Sequence, residues 1–250
     1  MEEAPSVAPI CTAAKPLRLR RELQSRGARA YVSATAAGLL LCTSFAFSQS
    51  ARLYAPRPPA GSTFVRVVNP TDRSVEVRIG GGPPQKISAS SEVGTIFRIA
   101  PGNKPLKISI DGRTPTGDLI PPANKFVTLI LKPAQEHFGL TSLFEETTQI
   151  DALRADLRFY NLIDGCKGAL RVVDGPQIFD GVATEESRRR SINPVEATLI
   201  AECGDVLSSR WKLPALKPGD HYSIFLLGDR NGPTLKGQQD ETEPYRENTQ

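Results

Sequence analysis

The side chains able to serve as a catalytic base are few in this sequence. Its two histidines are His137, in a polar stretch, and His221, in a Gly-Asp-His turn. Nucleophilic catalysis needs a base beside the nucleophile, yet neither histidine has a serine elbow near it, and Gly-x-Ser-x-Gly, Gly-Asp-Ser and Asp-x-x-His are absent. The pattern favours two histidines in surface turns and a protein that is not an enzyme. A serine acting with His221 is the alternative.

Metal and phosphate sites have little support in the sequence. No His-Glu-x-x-His occurs and no pair of candidate ligands has short spacing, so we expect neither a metal nor a cofactor. Glu145 and Glu146 are adjacent, which usually points their side chains apart, and such pairs are typical of solvated linkers. Gly80–Gly82 is followed by two prolines instead of a lysine and a helix, and therefore predicts a turn.

The net charge of +4 is concentrated at the N-terminus. Residues 1–48 carry six basic and three acidic side chains, which leaves the rest of the chain nearly neutral. Nucleic acid as a partner therefore has no electrostatic support. The basic cluster Arg188–Arg190 fits an anionic polysaccharide or an acidic partner, or simply a solvated loop of like charges.

Residues 1–48 have the order of a secretory signal peptide. Residues 15–29 are basic, Ala30–Phe47 carries no charge, and Ala46-Phe47-Ser48 offers small residues for cleavage. An uncleaved membrane anchor is the alternative. No second apolar run of spanning length follows, so we expect a soluble protein exported to the periplasm.

Export changes the interpretation of the four cysteines. Cys11 and Cys42 fall in the signal peptide, whereas Cys166 and Cys203 belong to the remaining chain. An even number of cysteines in an oxidising compartment favours one disulfide, between Cys166 and Cys203. Two buried free thiols are the alternative.

One short segment occurs twice. Phe64–Asn69 and Leu157–Asn161 are apolar runs that contain one arginine, end in asparagine and lead to a turn. Three landmarks keep their order across the two copies, at separations of 92, 93 and 96 residues: Arg66 to Arg158, Ile99 to Ile192 and Phe126 to Tyr222. The order predicts a duplicated unit. Chance likeness of two β-rich halves is the alternative.

Period-two alternation with turn residues at short intervals predicts an all-β fold. We expect two tandem antiparallel β-sandwich domains, jelly-roll or Ig-like, after the signal peptide. The predicted order is a signal peptide at 1–48, an extended lead-in at 49–62, a first β-sandwich domain at 63–132, a linker at 133–154, a second β-sandwich domain at 155–230 and a disordered tail at 231–250.

Several of these segments resemble the AlgF family of alginate biosynthesis proteins. Leu53–Pro56, Pro59–Ser62 and Phe64–Asn69 are similar to the mature N-terminus of that family, and Arg190–Val195 is similar to its Arg-x-Ile-Asn-Pro-Val element. The likeness runs from residue 50 to residue 230. The cysteine pair and the long leader depart from the family pattern.

The resemblance implies a function and a set of partners. It implies a non-catalytic periplasmic adaptor needed to O-acetylate an exopolysaccharide, alginate being the expected one. The adaptor would bridge a membrane-bound O-acyltransferase and a periplasmic acetyltransferase. A carbohydrate-binding module that holds the polymer directly is the alternative, although the single tryptophan, Trp211, makes a poor aromatic platform.

Within this interpretation, four residues are candidate partner contacts. They are Tyr54, Arg66, Arg190 and Asn193. For Arg66 and Asn193 a structural role is the alternative, in which the side chain holds a turn or a sheet edge through hydrogen bonds to the backbone.

Overall fold

The computed structural model describes residues 57–88, 93–132, 138–146 and 151–246. All of its regular elements are strands: β1 (Ser62–Val68), β2 (Val75–Ile79), β3 (Gln85–Ile87), β4 (Arg98–Pro101), β5 (Ile108–Ile110), β6 (Lys125–Lys132), β7 (Gly139–Glu146), β8 (Ala155–Asn161), β9 (Gly168–Val172), β10 (Gln177–Val182), β11 (Glu186–Ile192), β12 (Ala197–Cys203), β13 (Val206–Leu207), β14 (Trp211–Leu213), β15 (His221–Leu227) and β16 (Thr234–Gln239). The predicted all-β class is therefore confirmed. Within these ranges no helix is apolar and long enough to span a bilayer.

The first half of the fold, β1–β7, is two sheets packed face to face. One sheet has the strand order β4-β1-β6-β7 and the other β3-β2-β5. The alternation in β2 explains the layering, because Val75, Val77 and Ile79 are buried whereas Glu76 and Arg78 are exposed. These valines pack with Val65, Val127 and Leu129 of the other sheet in a single core.

The second half, β8–β16, repeats this arrangement. Its sheets have the orders β11-β8-β15-β16 and β10-β9-β12-β13, with β14 paired to β12. A second core lies between them, built on Leu157, Phe159, Leu199 and Ile224. A disulfide joins Cys166 to Cys203 at the edge of this core. Two separate cores fit the two predicted sandwiches.

Strand directions and registers show that the two halves match. In each, the first strand pairs antiparallel on one side and parallel on the other, as β1 does with β4 and β6 and as β8 does with β11 and β15. Val65 faces Arg98 as Leu157 faces Arg190. The sheets are thus mixed and not purely antiparallel as predicted, because β1 runs parallel to β6 and β8 runs parallel to β15.

The registers also correct two landmarks of the sequence comparison. The residue equivalent to Ile99 is Ser191 and the residue equivalent to Phe126 is His221, since Phe64 faces Ile99 and Phe126 while Asp156 faces Ser191 and His221. Each prediction was one residue off, because the sequence comparison matched apolar residues with apolar residues, whereas the equivalent positions hold Ser191 and His221.

The repeated asparagines hold equivalent turns. Asn69 donates from Nδ2 to the Arg73 carbonyl, and its Oδ1 accepts from the backbone N–H of Thr71. Asn161, 92 residues later, donates to the Cys166 carbonyl and accepts from the N–H of Ile163. Asn69 follows β1 and Asn161 ends β8, and each side chain satisfies the backbone that turns away from its strand.

Two segments differ from what the sequence predicts. The segment predicted as a linker, 133–154, contains β7, whose residue Glu145 is buried. The segment predicted as a disordered tail, 231–250, contains β16, which pairs along its whole length with β15. Both strands are polar on one side and half-buried, so their composition resembles that of a loop. The predicted domain boundaries themselves stay a prediction.

Candidate functional site between the two halves

The most buried charged side chain joins the two halves. Arg66 on β1 is 1% exposed. Its Nε donates to Thr128 Oγ1 at 3.0 Å, its Nη1 to Asp240 Oδ1 at 2.7 Å, and its Nη2 to Tyr160 Oη at 2.7 Å and Ser223 Oγ at 2.8 Å. Only Thr128 belongs to the first half, so this one guanidinium binds the halves together.

The equivalent arginine of the second half makes the reciprocal contact. Arg158 on β8 forms an ion pair with Glu145 of β7, and Tyr160 Oη donates to the same carboxylate. Glu145 lies further along the chain than Arg66 within the first half, and Asp240 lies further along than Arg158 within the second half. Each half therefore supplies an arginine to the other half's carboxylate, and we call these two contacts the crossed ion pairs.

Burial affects the pKa of both arginines. Burial alone would lower the pKa of Arg66, but the charges of Tyr160 and Asp240 outweigh it and raise that pKa above its ordinary value. Burial lowers the pKa of Arg158. Arginine side chains are not deprotonated in proteins near neutral pH, so both stay charged there.

Equivalent positions beside these pairs carry different chemistry in the two halves. In the first half, the aromatic rings of Phe64, Phe97 and Phe126 pack together. The ring of Phe126 is stacked on that of Phe64, with centroids 4.7 Å apart, and lies edge-on to that of Phe97, with centroids 5.0 Å apart. The equivalent residues of the second half are Asp156, Arg189 and His221. Arg189 forms an ion pair with Asp156, and His221 Nδ1 lies 3.5 Å from Asp156 Oδ2. We call these sets the aromatic trio and the charged trio.

A pocket of about 200 Å³ lies between the two trios, and we call it the central pocket. Its lining residues are Phe97, Phe126, Glu145, Glu146, Asp156, Arg158, Arg189, His221, Asp240 and Thr242. A neighbouring cleft of about 710 Å³ shares five of these residues and continues past Phe144, Arg154 and Ser191. This is the candidate functional site, because it collects buried charges at the junction of the two halves.

Asp156 stands out within the pocket. The residue is 7% exposed, yet its Oδ1 atom has no hydrogen-bond partner, whereas Oδ2 is engaged with Arg189. A buried acceptor without a donor is costly and needs an explanation. The Oδ1 atom of Asp156 is therefore an unsatisfied buried acceptor in a residue that lines the pocket.

Of the four predicted contact residues, the structure describes Arg66, Arg190 and Asn193. Tyr54 lies outside the described residues. Arg66 is buried and donates to side chains of its own chain, which fits the structural alternative, although through side chains and not through the backbone. Its role as a partner contact stays a prediction. Arg190 is exposed and donates to the Ile178 carbonyl at 3.1 Å, and Asn193 is exposed.

The basic cluster divides by strand alternation. Arg188 and Arg190 donate to the carbonyls of Asp180 and Ile178 on β10, while Arg189 points the other way, to Asp156. The cluster is therefore not a uniform basic patch. Glu145 also differs from its predicted solvated state, because its side chain enters the junction whereas that of Glu146 stays exposed.

Of the two candidate bases, the structure describes only His221. His137 lies outside the described residues. His221 begins β15 and is not in a surface turn, and among the hydrogen bonds of the described residues none connects a serine hydroxyl to its imidazole. Sequence reasoning missed Asp156 and Arg189 as its neighbours. The usable signal was the 92-residue repeat, which places both at positions occupied by phenylalanine in the first unit.

Comparison with known proteins supports the resemblance seen in the sequence. The family model described as "Alginate O-acetyl transferase AlgF" matches residues 36–222. The alginate biosynthesis protein AlgF of Pseudomonas putida KT2440 is 29% identical over 198 residues, which cover 78% of this chain and 87% of that protein. The protein of the same name from Azotobacter vinelandii is 26% identical over 190 residues, covering 72% and 79%.

Two solved structures show weaker likeness. The C-terminal domain of AlgF from P. aeruginosa has 25% identity and a TM-score of 0.31, and it covers 35% of this chain and 98% of that domain. A family CBM26 module of Eubacterium rectale Amy13K has 11% identity and a TM-score of 0.25, and covers 72% and 98%. Neither likeness supports a functional conclusion. Because the family model spans most of the sequence, this chain belongs to the AlgF family of alginate biosynthesis proteins.

Proposed function

We propose that this protein is a non-catalytic periplasmic adaptor in the O-acetylation of an exopolysaccharide, alginate being the expected polymer. It would bridge a membrane-bound O-acyltransferase and a periplasmic acetyltransferase of the same pathway. Family membership supports the pathway, and the signal-peptide pattern of residues 1–48 supports the compartment.

The non-catalytic part of the proposal rests on the ion pairs that the carboxylates between the halves form. A general acid or base must be free to exchange a proton with substrate. Glu145 is paired with Arg158, Asp240 with Arg66, and Asp156 with Arg189. Arginine partners fix the position of these carboxylates, which suits a scaffold that holds two domains in one orientation.

Deletion of the gene tests the pathway role. The deletion strain should still make polymer, but with much less acetyl per residue, and a plasmid copy of the gene should restore it. Acetyl content is measured on purified polymer by proton NMR. Unchanged acetyl content in the deletion strain would refute the proposal.

A second measurement tests whether the protein itself transfers acetyl groups. Purified protein is incubated with a chromogenic acetyl ester, alongside the variant His221→Gln. We expect no release above buffer from either protein. Release by the wild type that the variant loses would replace the adaptor role with an acetyltransferase acting through His221.

A further inference from the structure

The two halves of the sequence carry opposite net charge. Residues 51–150 hold 12 basic and 8 acidic side chains, a net charge of +4, whereas residues 151–250 hold 13 basic and 16 acidic side chains, a net charge of −3. The nearly neutral total after the basic leader therefore hides a difference between the duplicated units. Such a difference favours an acidic partner at the first half.

Part of the positive charge lies on the outer face of the β3-β2-β5 sheet. Alternation turns Arg78 of β2 and Lys86 of β3 outward, because the buried neighbours of each enter the core. Lys107 points the same way, since Leu106 and Ile108 on either side of it pack in that core. All three cations are exposed, and we call them the basic face.

Neighbouring side chains do not neutralise the basic face. None of its three cations forms an ion pair or a side-chain hydrogen bond with another described residue. Two carboxylates share the face: Glu76 is opposite Lys86 in the strand register, and Asp111 Oδ1 already accepts the Glu76 N–H at 2.8 Å. Arg113, which bridges to Ile110, adds a fourth exposed cation beside β5. The cations therefore outnumber the carboxylates.

The equivalent sheet of the second half, β10-β9-β12 with β14, provides carboxylate partners for its cations. Arg171 Nε donates to Glu202 Oε1 at 2.6 Å, and Lys212 Nζ lies 3.9 Å from Glu196 Oε2. The same architecture thus has paired cations on one outer face and unpaired cations on the other. Formation of the sheet does not require cations without partners, so another role accounts for the basic face.

We propose that the basic face docks an acidic surface of a partner protein. The proposal rests on the adaptor function, which needs surfaces that other proteins recognise. Glu76 and Asp111 argue against an acidic polysaccharide, because a chain with a carboxylate on every sugar would be repelled by both. No aromatic side chain is among the outward residues named, so the face offers no ring on which a sugar stacks. The contact is electrostatic, forms fast and is sensitive to salt.

Binding is measured between the purified protein and the purified periplasmic acetyltransferase of the same pathway. Biolayer interferometry records association and dissociation rates at low and at high salt. Affinity should fall at least about tenfold at high salt, mainly through slower association. Equal affinity at the two salt concentrations, or no binding to the wild-type protein, overturns the proposal.

Matched variants locate the contact. The first variant removes the three charges of the basic face: Arg78→Gln, Lys86→Gln and Lys107→Gln. The control removes three charges from the equivalent sheet: Lys167→Gln, Arg171→Gln and Lys212→Gln. The first should bind at least about tenfold more weakly and the control should bind as the wild type does. Equal affinities of the two variants contradict the proposal, provided that circular dichroism shows both folded.

NMR on the wild-type protein decides even if the first variant fails to fold. The acetyltransferase should broaden the backbone amide signals of the basic face, and an oligomannuronate should leave them unchanged. An oligomannuronate that shifts these signals when the acetyltransferase does not would make the face a saccharide site and overturn the proposal. A wild-type dimer that the first variant loses in sedimentation would assign the face to a second copy of the chain and overturn it too.

Failure of this proposal and failure of the adaptor function give different results. An under-acetylating deletion strain together with an acetyltransferase that binds the wild type and the first variant equally would remove only this inference. Normal acetyl content in the deletion strain would remove the adaptor function, whatever the basic face binds.

Discussion

At the scale of single residues, Arg66 has the largest structural role. It is a fully buried cation whose four donor contacts are to Thr128, Asp240, Tyr160 and Ser223. Removing Arg66 would leave the Asp240 carboxylate, whose side chain is 17% exposed, without its ion-pair partner. The side chain therefore cannot be shortened or neutralised without a large effect on stability.

We expect Arg66→Met to lower the free energy of unfolding by about 3–5 kcal/mol, because methionine fills part of the space but leaves the Asp240 carboxylate without its partner. Urea titration followed by circular dichroism measures the change. Arg78→Met, on the exposed face of β2, is the control and should change stability by less than about 0.5 kcal/mol. Equal effects from both variants would show that the network around Arg66 is not stabilising.

The same residue shows where prediction from sequence ends. The sequence singles out Arg66 and Arg158 as repeated arginines within apolar runs, and it places both on strands. It does not reveal their partners, since Asp240 lies 174 residues from Arg66 in a segment that reads as a polar tail. Long-range polar contacts have no local pattern, so the charged trio and the crossed ion pairs became visible only in the structure.

At the scale of elements, the end of the chain closes the junction. After β16, the segment Asp240–Glu243, which we call the strap, crosses to the first half. The Phe97 N–H donates to the Glu241 carbonyl at 2.7 Å, and the Glu243 N–H donates to the Phe97 carbonyl at 2.9 Å. Glu243 also pairs with Arg98 at 2.6 Å. The strap thus covers the edge beside β4.

We expect a stop codon after Gln239 to expose this edge, because it removes the strap together with the partner of Arg66. Amide hydrogen exchange at Phe97 and Ile99 should become faster, since both amides donate to the strap. A stop codon after Arg246 removes only residues 247–250 and serves as the control. Unchanged protection at Phe97 in the shorter protein would mean that the strap does not hold this edge.

The elements also show which predictions a sequence can support. Strands with clear alternation, such as β2 and β5, and the repeated arginine strands β1 and β8 could be predicted. β7 and β16 could not be predicted, because one side of each strand contacts another sheet through polar side chains. Their burial depends on the other half of the molecule, which a local window does not contain.

At the scale of the whole molecule, a third apolar cluster lies between the halves. Val68, Val93 and Ile130 from one half pack against Tyr160, Leu162, Phe225 and Leu227 from the other. Together with the crossed ion pairs, this buried contact couples the two sandwiches. Separation of the halves would expose apolar surface and two charged networks at once.

We therefore expect the halves to unfold in one transition. Trp211, the single tryptophan, reports on the second half, where it packs 5.8 Å from the ring of Tyr222. Circular dichroism in the far ultraviolet reports on both halves. The two urea curves should coincide for the wild-type protein. Two midpoints that differ by more than the experimental error would show that the halves unfold independently.

The crossed ion pairs have a consequence for how the sequence can change over generations. After the duplication, each copy of the unit came to depend on a charge carried by the other, so neither copy is free to drift alone. A substitution at Arg66 would require a compensating one at Asp240, and Arg158 is tied to Glu145 in the same manner. Among descendants of this chain, these two distant pairs of positions should change together or not at all.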